Sequence, residues 1–161
     1  MRKTTTRDIA VGIVCCALYA SLVNLFAPIS FQQIQVRVAN ALIGLVPLFG
    51  WPAISGLTLG VFLGNMTSPL GVIDLASSLP SFIGLVVVYK LRRVSVLLGL
   101  QSYSAIVSVW VAFMLNLVFN LPYLITFVYV LVGVTVATAG LGYLLYRSLS
   151  KLKITESIKE R

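Results

Sequence analysis

Apolar residues run through this sequence in stretches of membrane-spanning length, separated by short breaks that are polar or rich in proline and glycine. The first stretch, Ile9 to Ala27, ends at Pro28 and approaches the roughly 20 residues that a helix needs to cross a bilayer. Residues Ile29 to Val36 are too polar to lie in hydrocarbon unless protein covers them. The next run, Arg37 to Asn65, is too long for one ordinary span and is interrupted at Pro47, Gly50 and Pro52. Gly50-Trp51-Pro52 predicts a tight turn with an interfacial tryptophan. Each half, about 14 residues or about 21 Å long, falls short of a hydrocarbon core of about 30 Å. Two short spans and one re-entrant hairpin are both compatible with that pattern. Gly64 to Pro69 predicts another turn, and further helices are expected over about 70–89, 94–117 and 121–146. The pattern predicts one all-α integral membrane domain over 1–161, with six transmembrane helices at about 9–27, 37–50, 52–66, 70–89, 94–117 and 121–146, the two central ones short.

Composition supports lipid as the solvent. Hydrophobic residues make up 59% of the 161 and charged residues only 10%, against about 45–50% and about 25% in soluble domains. The net charge of +8 is gathered in clusters. Arg2, Lys3 and Arg7 precede the first span; Lys90, Arg92 and Arg93 form a loop; Arg147, Lys151, Lys153, Lys159 and Arg161 follow the last. Such clusters mark the cytoplasmic side, so both termini and the Lys90–Arg93 loop are expected there, in a multi-pass protein of the cell membrane. A nucleic-acid partner is not expected, because no basic soluble module is present. The N-terminus has the look of a signal peptide but lacks an A-x-A-type cleavage site and is read as a span.

Catalysis finds little to work with. The chain has no histidine, and its only cysteines, Cys15 and Cys16, are adjacent within an apolar run, so neither a metal site nor a disulfide framework is expected. A lone intramembrane carboxylate makes poor acid–base machinery. There is no GxxxxGK[ST] loop, so ATP hydrolysis must come from another chain. The chain is therefore read as a non-enzyme without a cofactor, and with no visible repeat it is not expected to pump alone.

Binding is a better reading. Phe31 to Asn40 is the one dense polar cluster between long apolar runs, and Arg37 is the only basic residue outside the three clusters. A charge among apolar segments costs roughly 2.5 kcal/mol or more on insertion scales, so its default reading is functional. Arg37 and Asp74 each begin a helix that enters from the same side, at matching depth. They suit either a self-neutralising structural pair or a ligand site in which a planar guanidinium donates and a carboxylate accepts. Gln35, Asn40 and Asn65 are candidates for neutral hydrogen bonds to that ligand, and Trp110, Phe113 and Phe119 for stacking on it. Gly12, Cys16 and Ala20 form a stripe of small side chains that serves close helix packing, either within the bundle or against a partner.

Ile34-Gln35-Val36-Arg37-Val38-Ala39-Asn40-Ala41-Leu42 resembles a motif of the QueT family, which reads like I-Q-[VF]-R-[VI]-S-E-A-L. These are substrate-binding (S) components of energy-coupling factor (ECF) transporters. The resemblance continues through Ala53 to Gly60, Asn65 and Pro69 to Asp74, and covers about Tyr19 to Lys90. It implies a six-helix S component that captures a queuosine precursor, a 7-deazaguanine-type base. It also implies a transmembrane coupling subunit and two cytoplasmic ATPases as partners. Gln35, Arg37, Asn65 and Asp74 match the family's polar positions, whereas Asn40 stands where the family carries glutamate. Cys16-x-x-x-Ala20 resembles the A-x-x-x-A surface on which S components dock.

The charge pattern predicts orientation. A cysteine placed at Gln33 should react with an impermeant maleimide on intact cells, and one placed at Ser95 should react only after permeabilisation. Labelling at Ser95 in intact cells would reverse the topology.

Overall fold

Thr5 starts the first helix. Its backbone N–H donates to the Asp8 carboxylate at 2.9 Å while Asp8 N–H donates to the Thr5 hydroxyl at 3.4 Å, the reciprocal cap of a helix start. From there α1 runs over Thr6–Leu25. The computed structural model describes residues 5–30 and 37–152. After the short turn Ala27–Ser30, the further helices are α2 (Val38–Phe49), α3 (Trp51–Asn65), α4 (Gly71–Leu91), α5 (Val96–Phe119) and α6 (Tyr123–Lys151). Among the described residues α1, α4, α5 and α6 are long and apolar enough to cross a membrane. Large side chains such as Leu25, Val72, Leu124 and Leu144 are exposed, while Tyr19, Ile54, Leu85 and Tyr103 are buried. An apolar exterior around an apolar core is the arrangement lipid demands, and the chain is a polytopic helical membrane protein.

The two central helices are short, as the proline and glycine breaks predict. Gly50 separates them with φ of +65°, a conformation that other residues adopt only at a cost. The first part of α2, Val38–Leu45, is a 3₁₀ helix. Its steeper rise of about 2.0 Å per residue stretches α2 to about 22 Å, rather than the about 18 Å of an α-helix of that length. The hairpin tip therefore reaches the far end of the bundle. There Arg92 Nη1 donates to the Pro47 carbonyl at 3.2 Å, and its guanidinium carbon lies 4.1 Å from the Tyr89 ring centre. Trp51 packs on the same tyrosine, with ring centres 6.2 Å apart. At the opposite end the Thr67 hydroxyl donates to Asn24 Oδ1 at 2.7 Å. Both central helices thus run the depth of the bundle, which favours two short spans over a shallow re-entrant hairpin.

Small residues set the closest approaches. Gly56, Gly60 and Gly64 of α3 lie against Gly12, against Cys16 and Tyr19, and against Val23 of α1. The small-residue stripe of α1 thus finds an intramolecular partner: Gly12 and Cys16 face α3, while Ala20 is half-buried. At the crossing of α2 and α6, Gly44 meets the Gly142 backbone. There α6 widens into a π turn over Val136–Gly142. A side chain at Gly44 would have to displace backbone.

Gly44→Ala should accordingly lower stability in detergent by about 1–3 kcal/mol, the usual range for overpacking. Gly140→Ala, whose added carbon meets nothing within 4 Å, serves as the control. Equal thermal midpoints for the two variants would show that the α2–α6 crossing is looser than described.

Candidate functional site

Arg37 stands immediately before the 3₁₀ helix, and its carbonyl accepts from Asn40 N–H at 2.8 Å. Its side chain turns inward and is only 7% exposed. A buried guanidinium must find acceptors or an opposite charge, and this one has an acceptor on α3 and a carboxylate nearby on α4. Nη1 donates to Asn65 Oδ1 at 3.0 Å, and Nη2 lies 3.8 Å from Asp74 Oδ2. Asn65, the last residue of α3, turns its amide nitrogen the other way. It donates to the Asp74 carbonyl at 2.9 Å and to Asp74 Oδ1 at 3.3 Å. With Arg37 only a donor and the carboxylate only an acceptor, this amide orientation is the one the network permits.

The start of α4 is again 3₁₀, over Gly71–Ser77. In that geometry residues three apart eclipse each other, which stacks Ser77 directly on Asp74. The Ser77 hydroxyl donates to Asp74 Oδ1 at 2.7 Å and accepts from Trp110 Nε1 of α5 at 3.1 Å. On the other flank Tyr19 of α1 donates to Asn40 Oδ1 at 2.7 Å, and its phenol also sits against the Arg37 guanidinium. Asn40, Asn65, Asp74, Ser77 and Tyr19 are all buried. The cluster lies at the end of the bundle marked by Asn24 and Thr67.

Arg37, Asn65 and Asp74, picked out in the sequence as isolated polar positions, therefore converge from α2, α3 and α4 into one network, with Asn40 alongside. Gln35 lies outside the described residues. The aromatic expectations need correction. Phe113 and Phe119 are exposed at 49% and 54%; Phe113 packs on Trp110 with ring centres 6.0 Å apart, and of the three only Trp110 hydrogen-bonds into the cluster, through its indole N–H. Tyr19 was not anticipated; a tyrosine inside an apolar run carries no mark that separates a network member from a packing residue. Ser77 was visible only as one of several isolated polar positions.

A donor fork beside a carboxylate, both shielded from water, can hold a planar ligand that presents an acceptor next to an N–H donor. The fold and this cluster define a helical membrane protein with a buried polar site at one end of its bundle. A family model described as QueT transporter matches residues 9–151, and the chain belongs to that transporter family. No curated protein and no solved structure matches the chain.

Asn65→Ala should destabilise the protein in detergent by about 1–3 kcal/mol, because it strands two buried charged partners. Combined with Arg37→Met, the loss should be less than additive by more than about 0.5 kcal/mol. Strict additivity would mean that the amide does not couple the two helices.

Proposed function

We propose that this chain is the substrate-capture subunit of an ECF uptake transporter and binds a queuosine precursor of the 7-deazaguanine type from the outer side of the cell membrane. The observation that carries the proposal is the buried Arg37–Asn65–Asp74 network in a chain of the QueT transporter family. Arg37 donates to the ring carbonyl of the base, Asp74 accepts from its N–H, and Asn65, Asn40 and Gln35 supply neutral hydrogen bonds. Asn40, in place of a glutamate, offers no second carboxylate for a cationic substituent, which favours an uncharged base. Uptake against a gradient needs an energy source that this chain lacks, so it works with a transmembrane coupling subunit and two cytoplasmic ATPases. The basic clusters support an orientation with both termini on the ATPase side. Docking uses the edge of the Gly12–Cys16–Ala20 stripe that α3 leaves half-exposed.

Added 7-deazaguanine should raise the thermal midpoint of the purified protein, whereas a non-transporting scaffold with a structural ion pair should not respond. Arg37→Lys keeps the charge but loses the planar fork. With Asp74→Asn it should weaken binding about 10- to 150-fold, the equivalent of about 1.5–3 kcal/mol for one charge-assisted hydrogen bond. If both variants fold and bind as tightly as wild type, the pair is structural.

Ala20→Trp should abolish uptake in cells that carry the coupling subunit and ATPases while binding by the isolated protein persists. Loss of binding to the same degree would return the stripe wholly to internal packing.

A further inference from the structure

We infer that Ser77 and Trp110 are positioning residues that hold Asp74 so that its Oδ2 takes a single N–H from the bound base, next to the group that Arg37 grips. The inference rests on reading the Arg37–Asp74 pair as the ligand site. It starts from an asymmetry within one carboxylate. Oδ1 receives the Ser77 hydroxyl at 2.7 Å and the Asn65 amide at 3.3 Å. Oδ2, equally buried, accepts no hydrogen bond among the described residues and faces Arg37 Nη2 at 3.8 Å, beyond direct hydrogen-bond range.

Direction in the network explains the asymmetry. An indole N–H can only donate, so Trp110 occupies the acceptor side of the Ser77 oxygen and steers the hydroxyl proton elsewhere. The Ser77 proton then has Asp74 Oδ1 at 2.7 Å, with Met114 Sδ at 3.7 Å as a much weaker alternative. Arg37 likewise can only donate, so Asn65 must turn its amide N–H₂ toward Asp74. Two one-way chains, from Trp110 and from Arg37, therefore end on the same oxygen. They leave the other beside the guanidinium, an acceptor next to a donor. The complementary ligand edge carries an acceptor beside an N–H, as a lactam does. Trp110 touches no ligand atom in this role; it acts through Ser77.

The test compares 7-deazahypoxanthine, which carries that lactam edge and no exocyclic amine, with its lactam N-methyl derivative. Affinities are measured calorimetrically for wild type, Ser77→Ala and Trp110→Phe, with thermal midpoints recorded to establish that each is folded. Wild type should prefer the N–H form by about 10- to 150-fold, the value of one hydrogen bond to a charged group. Either variant should lose most of that preference, because an untethered carboxylate no longer presents Oδ2. A purely structural role would weaken both ligands equally and leave the ratio intact, and that result overturns the inference. Equal binding of the two ligands by wild type overturns it as well, while leaving base binding standing. Should wild type bind neither compound nor 7-deazaguanine itself, the functional reading falls and the inference with it. If one variant does not fold, the other is read alone.

Discussion

The amide of Asn65 is the interaction on which the polar end of this bundle depends. A buried guanidinium and carboxylate 3.8 Å apart make a poor pair by themselves. Desolvation of two such charges can exceed their attraction unless further hydrogen bonds satisfy them. Asn65 supplies those bonds in both directions, accepting from Arg37 and donating to Asp74. Because the three residues sit at the start of α2, the end of α3 and the start of α4, one side chain ties three helix ends together. Polar ties are also present elsewhere, as between Ser104 of α5 and Thr138 of α6 at 2.6 Å and between Arg92 and the Pro47 carbonyl at 3.2 Å. Close backbone approaches at Gly56, Gly60 and Gly44 act beside them, since apolar side chains gain little from leaving lipid for one another.

Helix geometry at that end serves the site. Both charged residues lie at 3₁₀ segments, Arg37 just before Val38–Leu45 and Asp74 within Gly71–Ser77. Runs of that length are uncommon, because their hydrogen bonds are poorer than those of an α-helix. Here they do two things that an α-helix would not. The first segment lengthens α2 enough to reach from Arg37 to the Arg92 contact with Pro47. The second eclipses Asp74 and Ser77, so that a serine in the same strip of helix becomes the carboxylate's donor. The π turn in α6 lies where Gly142 meets Gly44, so the irregular stretches of α2 and α6 pack against each other.

The legibility of this architecture in the sequence follows from the solvent. Lengths of apolar runs, bounded by Pro28, Gly50-Trp51-Pro52, the Lys90–Arg93 loop and Pro122, identify the six helices because lipid makes span length a hard constraint. Arg37 and Asp74 stand out for the same reason, as charges in an apolar background, and Asn65 and Asn40 accompany them as isolated amides. Helix rotation is what the background hides. In a soluble bundle the polar face points outward and fixes the phase of each helix; here core and exterior are both apolar. Phe113 therefore could not be distinguished from Trp110 as a site residue, although one is half-exposed and the other donates to Ser77. Tyr19 was hidden in the same way. The stripe of Gly12, Cys16 and Ala20 was legible as a close-packing surface, but its facing glycines on α3 became evident only with the helices in place.

The separation of Arg37 and Asp74 also bears on how such a site can exchange a ligand. Were the two charges in direct contact, a ligand would have to break that contact before gaining its own, and most of its interaction energy would offset the loss. With the pair at 3.8 Å, the direct bond is already absent. The guanidinium is held by Asn65 and the carboxylate by Asn65 and Ser77, bonds that a base bound as proposed would not need to break. The ordering of four side chains is then a cost met during folding, and binding is relieved of it, which is the physical content of preorganisation. The polar network is thus compatible with a site that is closed and neutral when unliganded, and that retains directed donors and acceptors for an incoming planar base.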